Sequence, residues 1–141
     1  MVKEISNIDE SKENCIDTRK ARIWLDNDGI VRFVFTPSSG ETLEDAEDNV
    51  AAIKAVCAGK KRPIFIIPGP HKSMSRDARV YYMEKTPLIA SACGVLVSSP
   101  YQRVLSVFMS VLNKAFNKDR FPMRFFNSDE EAITWLKKFQ A

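Results

Sequence analysis

Two short runs of apolar residues constrain the fold of this chain more than any other feature. Residues 63–67 and 89–97 carry almost no polar side chains, and polar and apolar positions do not alternate along them. Short runs that are apolar throughout are typical of parallel strands buried on both faces of a sheet. They therefore predict a layered α/β domain, in which helices cover both sides of the sheet.

The residues before the first run predict a hairpin and a helix. Residues 22–25 and 30–35 are predicted as two strands. The turn between them predicts a hairpin, because its Gly29 adopts positive φ without a steric penalty. A stripe of apolar residues spaced three and four apart then predicts a helix over 42–58. Thr42 is the predicted N-cap of that helix.

The second half of the chain continues the alternation of helices and strands. A helix is predicted from Ser75 to about residue 85, because the Thr86-Pro87 pair disfavours helical backbone. A helix over 101–116 and a strand over 121–126 follow, and Ser128 caps the final helix. The predicted buried side of that final helix consists of Ala132, Ile133, Trp135, Leu136 and Phe139.

The element order is ββαβαβαβα, a mixed β-sheet with an N-terminal hairpin. It predicts one domain over residues 21–141 after a polar N-terminal tail at 1–20. The three cysteines are far apart and His71 is the only histidine, so no metal site and no cofactor is predicted. Free thiols and the lack of an apolar leader or a membrane-spanning run predict a cytoplasmic protein without a transmembrane segment.

Two stretches of the chain resemble a known family. The ending FFNSDEEAITWL at residues 125–136 resembles the last strand and helix of small bacterial SpoIIAA-like proteins of unknown function. SMSRDAR at 73–79 lies where those proteins begin the helix after the central strand. The whole pattern resembles the STAS domain, the fold of anti-sigma-factor antagonists. That resemblance implies a mixed α/β sheet and a non-enzymatic regulatory domain that binds a protein partner.

One part of the STAS pattern is absent from the chain. Antagonists that act through phosphorylation carry Asp-Ser-x-Gly at the end of the central strand, and the serine accepts the phosphate. Residues 68–75 here read PGPHKSMS, without an Asp-Ser pair. Ser73 and Ser75 stand nearby but do not match the motif, so the sequence leaves open whether either is phosphorylated.

Two loops predict a ligand site at one edge of the sheet. Loops 68–75 and 98–103 both follow buried strands and lead into helix N-termini, where free backbone N–H groups attract anions. The residues predicted to bind a phosphate or carboxylate there are Lys72, Ser73, Ser75, Arg76, Ser98, Ser99 and Arg103. The alternative is that the serines only cap helices and the charged residues face water.

The predicted helix 101–116 carries more apolar surface than an ordinary surface helix. Its polar residues form one narrow stripe, consisting of Arg103, Ser106, Ser110 and Asn113. The excess surface must be covered by a second copy of the chain, by an apolar ligand or by neighbouring helices of the same domain. The predicted homo-oligomer interface consists of Tyr101, Leu105, Phe108, Met109, Leu112 and Phe116.

The charged residues predict neither nucleic-acid binding nor catalysis. The basic groups 60–62 and 71–79 precede and follow the same strand, which puts them at opposite ends of the sheet, and the formal net charge is only +3. No acid–base or nucleophile pair stands at a meaningful spacing, so no enzyme is predicted. The helix dipole alone was expected to account for the acidic run at 41–48. The leading prediction is a self-associating regulatory domain, and the alternative is a binding module for a small anionic or lipid-like ligand.

Overall fold

A mixed β-sheet forms the centre of the fold. The computed structural model describes residues 15–36, 40–68, 74–97 and 121–140. Within these ranges, six strands follow one another across the sheet in the order in which they occur along the chain. They are β1 (Cys15–Asp17), β2 (Ala21–Leu25), β3 (Val31–Phe35), β4 (Arg62–Ile67), β5 (Ala90–Leu96) and β6 (Met123–Phe126).

The N-terminal part of the sheet is antiparallel and the rest is parallel. β1, β2 and β3 pair in antiparallel fashion, and β3 to β6 run parallel. The structure therefore confirms the predicted hairpin and the predicted mixed sheet. Asp26 shapes the hairpin turn, because its Oδ1 accepts hydrogen bonds from the backbone N–H groups of Asp28 and Ile30, at 2.8 and 3.0 Å. Gly29 occupies the predicted left-handed position, with φ of 79°.

Three helices in the described part of the chain begin at the predicted caps. They are α1 (Leu43–Cys57), α2 (Arg76–Ile89) and α3 (Asp129–Leu136), and a 3-10 turn at Lys137–Phe139 extends the last of them. The hydroxyl groups of Thr42, Ser75 and Ser128 each accept a hydrogen bond from the backbone N–H three residues further on. Each cap satisfies a donor that the helix itself leaves without a partner.

Both faces of the sheet are buried, as the apolar runs predicted. α1 packs on one face, where Ile23, Phe33 and Ile64 are buried. α3 packs on the other face, where its Leu136 is buried in one core with Phe65. Successive residues of β4 thus enter different cores, which is why that strand contains no polar alternation.

Gly94 on β5 allows α3 to lie close to the sheet. A Cβ atom at this position would stand 3.3 Å from Leu136 Cδ1 and 3.4 Å from Phe126 Cε2. Those distances are tighter than ordinary van der Waals contact. The lack of a side chain at Gly94 therefore leaves the space that the fully buried Leu136 fills.

Two predicted boundaries were wrong, and proline explains both. α2 does not end at Thr86-Pro87 but continues to Ile89, because Pro87 lies in the last turn, where its missing N–H removes a single helical hydrogen bond. The Thr86 carbonyl still accepts from the N–H of Ala90. The last strand begins at Met123 and not at residue 121, since Pro122 cannot donate to the ladder.

β1 was not predicted at all. It lies inside the segment 1–20 that the sequence predicted as a polar tail, and it pairs Cys15 with Trp24 and Asp17 with Arg22. The Asp17 carboxylate accepts two hydrogen bonds from the Arg22 guanidinium, at 2.7 and 2.9 Å. A three-residue strand is too short to show the period-2 pattern by which strands are recognised. The predicted helix 101–116 lies outside the described residues.

Candidate functional site

A group of buried and half-buried polar side chains lies at the edge of the sheet where the parallel strands end. We call Thr18, Glu41, Asp45, Asn49 and Tyr82 the edge cluster. Two features bring together the segments that carry these residues. Ala21 pairs with Phe35, which puts the turn before β2 at the carboxyl end of β3. Glu41 and Met74 form a parallel bridge, and the Glu41 carbonyl accepts from the N–H of Ser75 at 2.9 Å.

Asn49 is the centre of the edge cluster. Its side chain is fully buried, and its Nδ2 donates to Glu41 Oε2 at 3.2 Å and to the Tyr82 hydroxyl oxygen at 2.9 Å. The Tyr82 hydroxyl donates to the same Glu41 oxygen, and the Thr18 hydroxyl donates to Asn49 Oδ1. Both polar atoms of the Asn49 amide are therefore satisfied, as burial requires. The contacts join the β1–β2 turn, the loop after β3, α1 and α2.

Asp45 ties the same turn to the first turn of α1. Its Oδ2 accepts from the backbone N–H of Thr42 at 3.0 Å, and the Thr42 hydroxyl accepts from the N–H of Asp45 at 3.3 Å. This reciprocal pair is a capping box. Arg19 Nε donates to Asp45 Oδ1 at 3.2 Å. Consecutive turn residues, Thr18 and Arg19, thus bind side chains that lie one helical turn apart on α1.

The two carboxyl groups of the edge cluster have opposite pKa shifts. Burial raises the pKa of Glu41, and the hydrogen bonds from Tyr82 and Asn49 oppose that rise only in part. Burial by itself would raise the pKa of Asp45 too. The hydrogen bonds from Thr42 and the charge of Arg19 outweigh the effect of burial, so the pKa of Asp45 lies below its ordinary value. Burial and the neighbouring Glu41 raise the pKa of Tyr82. Tyr82 therefore remains a hydrogen-bond donor at neutral pH.

The geometry suits proton binding more than metal binding. Glu41 is 7% exposed, and neutral donors hold its carboxyl group, so it binds a proton more readily than a glutamate in water. No set of three or more His, Cys, Asp or Glu residues in the described ranges is arranged to hold a metal ion.

The sequence reasoning missed the edge cluster. The expectation that the helix dipole alone explains the acidic run at 41–48 was wrong for Glu41 and Asp45, which are buried and hydrogen-bonded. A signal was available at Asn49, which lies three residues after Ala46 and next to Val50, on the apolar stripe of α1. A polar residue on a buried helix face needs partners. Nothing in the sequence identifies Tyr82 or Thr18 as those partners.

Only part of the predicted ligand site lies in the described ranges. Ser75 caps α2 and Arg76 is exposed in its first turn, both at the carboxyl edge, where the parallel pairing of β4 and β5 places such loops. The remaining predicted ligand residues lie outside the described residues, namely Lys72, Ser73, Ser98, Ser99 and Arg103. The same holds for the predicted interface at Tyr101, Leu105, Phe108, Met109, Leu112 and Phe116.

Comparison with known proteins identifies a family. The domain of unknown function DUF7793 matches residues 23–140. The chain belongs to this family. The match begins within β2, so Thr18 and Arg19 of the DUF7793 chain precede it. No curated protein and no solved structure matched the chain. None of the helices formed by the described residues has both the length and the apolar character needed to cross a membrane.

Replacement of Glu41 by Gln tests the buried carboxyl group. Because the folded-state pKa of Glu41 lies above its ordinary value of 4.5, the stability that this group contributes is complete below that pH. It is lost as the pH rises through the folded-state pKa. An amide at this position accepts the same hydrogen bonds without ionising. We therefore expect Glu41→Gln to match the original protein at pH 4 and to unfold at a higher temperature at pH 7.

The control for this experiment is Glu44→Gln, which changes an exposed carboxylate in the first turn of α1, the helix that follows Glu41. Thermal unfolding followed by circular dichroism from pH 4 to pH 8 measures both variants. If the melting temperatures of Glu41→Gln and the original protein stay a constant interval apart over this range, Glu41 does not have a raised pKa.

Replacement of Tyr82 by Phe tests the hydrogen bonds of the edge cluster. The change removes the hydroxyl group that donates to Glu41 and accepts from Asn49. We expect a loss of about 1–3 kcal/mol in the free energy of unfolding, because buried polar groups lose partners. Tyr81→Phe is the matched control, since the ring contact of Tyr81 with Lys85 at 5.7 Å survives, and it should change stability by less than about 0.5 kcal/mol. Equal losses in urea unfolding would contradict the assigned role of the Tyr82 hydroxyl.

Proposed function

We propose that this chain is a non-enzymatic, STAS-like regulatory domain that acts by binding protein surfaces. It associates with a second copy of itself through the predicted helix 101–116, and it works in the bacterial cytoplasm. The resemblance of residues 73–79 and 125–136 to small SpoIIAA-like proteins supports the regulatory role. The mixed α/β sheet is compatible with that resemblance.

Exposed apolar side chains on α2 are the observation that carries the self-association proposal. Leu88 is 64% exposed and Val80 is 41% exposed, and they are the large hydrophobic residues that the described part of the chain leaves in contact with water. They stand eight residues apart on α2, which separates them by about 12 Å along the helix axis and about 80° around it, so both lie on the same half of the helix surface. Such surface favours association. It adds to the apolar surface predicted for residues 101–116.

The chemistry of the edge cluster supports a structural role over catalysis. Thr18, Asn49 and Tyr82 use their polar atoms on one another and on Glu41, whose side chain water scarcely reaches. A general base must come within hydrogen-bond distance of the proton that it removes from a substrate. A carboxyl group enclosed in this way is better suited to hold the β1–β2 turn and α2 against α1.

Light scattering on a size-exclusion column tests self-association. We expect the original protein to elute with a mass near twice the 16.0 kDa of one chain. Phe108→Asp should give the mass of one chain, because a charge on the predicted interface must be desolvated on association. Asn113→Asp is the matched control, since it introduces the same charge on the polar stripe of the same predicted helix. It should leave the mass unchanged.

Circular dichroism must stay native for both variants, so that loss of association is separated from loss of fold. A strict monomer of the original protein at high concentration would remove the self-association proposal. The same conclusion would follow if Phe108→Asp and Asn113→Asp had equal effects on the mass.

A second candidate function is binding of a small anionic or lipid-like ligand at loops 68–75 and 98–103. The observation that favours it is the location of Ser75 and Arg76. They begin α2 at the carboxyl edge of the parallel strands, where helix N-termini and sheet geometry both attract anions.

Native mass spectrometry of freshly purified protein tests this second function. We expect a bound small molecule on the original protein and a weaker adduct on Arg76→Gln, because Arg76 is an exposed cation in the first turn of α2. Arg124→Gln is the control, since Arg124 is exposed but lies on β6 against Phe126 and Trp135. If no adduct appears, and neither phosphate nor a fatty acid raises the melting temperature, the ligand-binding function is wrong.

A further inference from the structure

A turn residue and residues of two neighbouring strands form a row at the opposite edge of the sheet, where the parallel strands begin. Val31 pairs with Ile64, so Gly29 lies beside Arg62, two residues before that pair. On the other side of Arg62 lies β5, and the ladder between β4 and β5 is irregular there. Arg62 and Pro63 are consecutive, but their partners Ala90 and Ala92 are two residues apart. Ser91 lies at this irregular step. We call Gly29, Arg62 and Ser91 the amino-edge row.

The amino-edge row contains two buried polar atoms without a partner. Arg62 Nε and Ser91 Oγ are buried, and neither forms a hydrogen bond within the described ranges 15–36, 40–68, 74–97 and 121–140. Buried polar groups in folded proteins nearly always have a partner, and an exception points to a missing water, ion or ligand. Here two such atoms occur at one step of adjacent strands.

Within the described ranges, the surroundings of Arg62 supply further donors, and the carboxylates of the neighbouring hairpin turn face other cations. Arg62 Nη1 and Gln140 Nε2 lie 3.2 and 3.3 Å from the point where a Cβ atom on Gly29 would stand, so the two donors converge over that glycine. The nearby turn carboxylates bind elsewhere, because Asp26 pairs with Arg32 at 2.8 Å and Asp28 faces Lys137 at 4.0 Å.

We propose that the amino-edge row binds a small oxyanion, a phosphate or carboxylate group, between the Arg62 guanidinium, the Ser91 hydroxyl and the Gln140 amide. A guanidinium fork offers parallel N–H groups that match the oxygens of either anion. A positive charge that is partly buried needs a counter-charge, which a bridging water does not supply.

Helix C-termini do not explain this arrangement. α1 ends at this edge and attracts cations, which accounts for exposed lysines near its last turn. It does not account for a buried Nε without an acceptor, nor for the Ser91 hydroxyl on the far side of Arg62. The site is also separate from the predicted ligand residues Ser75 and Arg76, which lie at the carboxyl edge.

Titration of the full chain with phosphate, sulfate and acetate tests the proposal. The protein is first dialysed into chloride buffer. Each anion is then added to low millimolar concentration at constant pH and ionic strength. Thermal unfolding measures the melting temperature, and calorimetry measures binding. We expect a saturable rise in melting temperature. The phosphate and acetate arms distinguish a phosphate site from a carboxylate site.

Four variants locate the site. Arg62→Gln should weaken binding at least about tenfold, and Ser91→Ala should weaken it by a smaller factor, because each removes a hydrogen bond to the anion. Lys61→Gln controls for general charge at the same edge and Arg76→Gln for the carboxyl edge, and both should bind as the original protein does. Ser91→Ala keeps the test valid if Arg62→Gln does not fold.

Three results would overturn the proposal. The first is a melting temperature that no anion changes in a saturable way, which would indicate a bridging water only. The second is that Ser91→Ala and Arg62→Gln both bind the anion as the original protein does. If Arg62→Gln does not fold, unchanged binding by Ser91→Ala alone has the same meaning. The third is a loss of binding in Arg76→Gln, which would place the anion at the other edge and favour the second candidate function instead.

Discussion

The parallel pairing of β4 with β3 and β5 is the constraint on which the rest of the structure depends. Ile64 lies in the core under α1, and Phe65 and Ile67 lie in the core under α3. A strand with apolar side chains on both faces must be shielded from water on both faces, so helices are required on each side of the sheet. Parallel pairing also places the amino ends of the strands at one edge and their carboxyl ends at the other. Loops that are distant in the sequence therefore lie close together. The edge cluster and the amino-edge row both follow from that arrangement.

The buried polar groups at the two edges of the sheet differ in whether they have hydrogen-bond partners. At the carboxyl edge, Asn49 and its neighbours satisfy one another, and the result is a closed set of contacts that holds four segments together. At the amino edge, Arg62 and Ser91 each keep a donor without an acceptor. The first arrangement is what a structural role requires, and the second is what a binding role requires.

The sequence predicted the elements that rest on local chemistry and missed those that rest on distant contacts. The hairpin at Gly29 and the helix caps at Thr42, Ser75 and Ser128 depend on residues a few positions apart, so their patterns are visible in the chain. The edge cluster joins Thr18 to Asn49 and Glu41 to Tyr82, which are 31 and 41 residues apart. No local pattern encodes such pairs, and β1 owes its place to the same contacts. The end of α2 was mispredicted because Pro87 is tolerated in a last turn.

The sheet order has a consequence for how the domain is built. Each strand lies beside the strand that precedes it in the chain, from β1 at one border to β6 at the other. A chain emerging from the ribosome can therefore extend the sheet in one direction, adding each new strand to the open border of the last. Among the strands of the described ranges, none has to be inserted between two that have already paired.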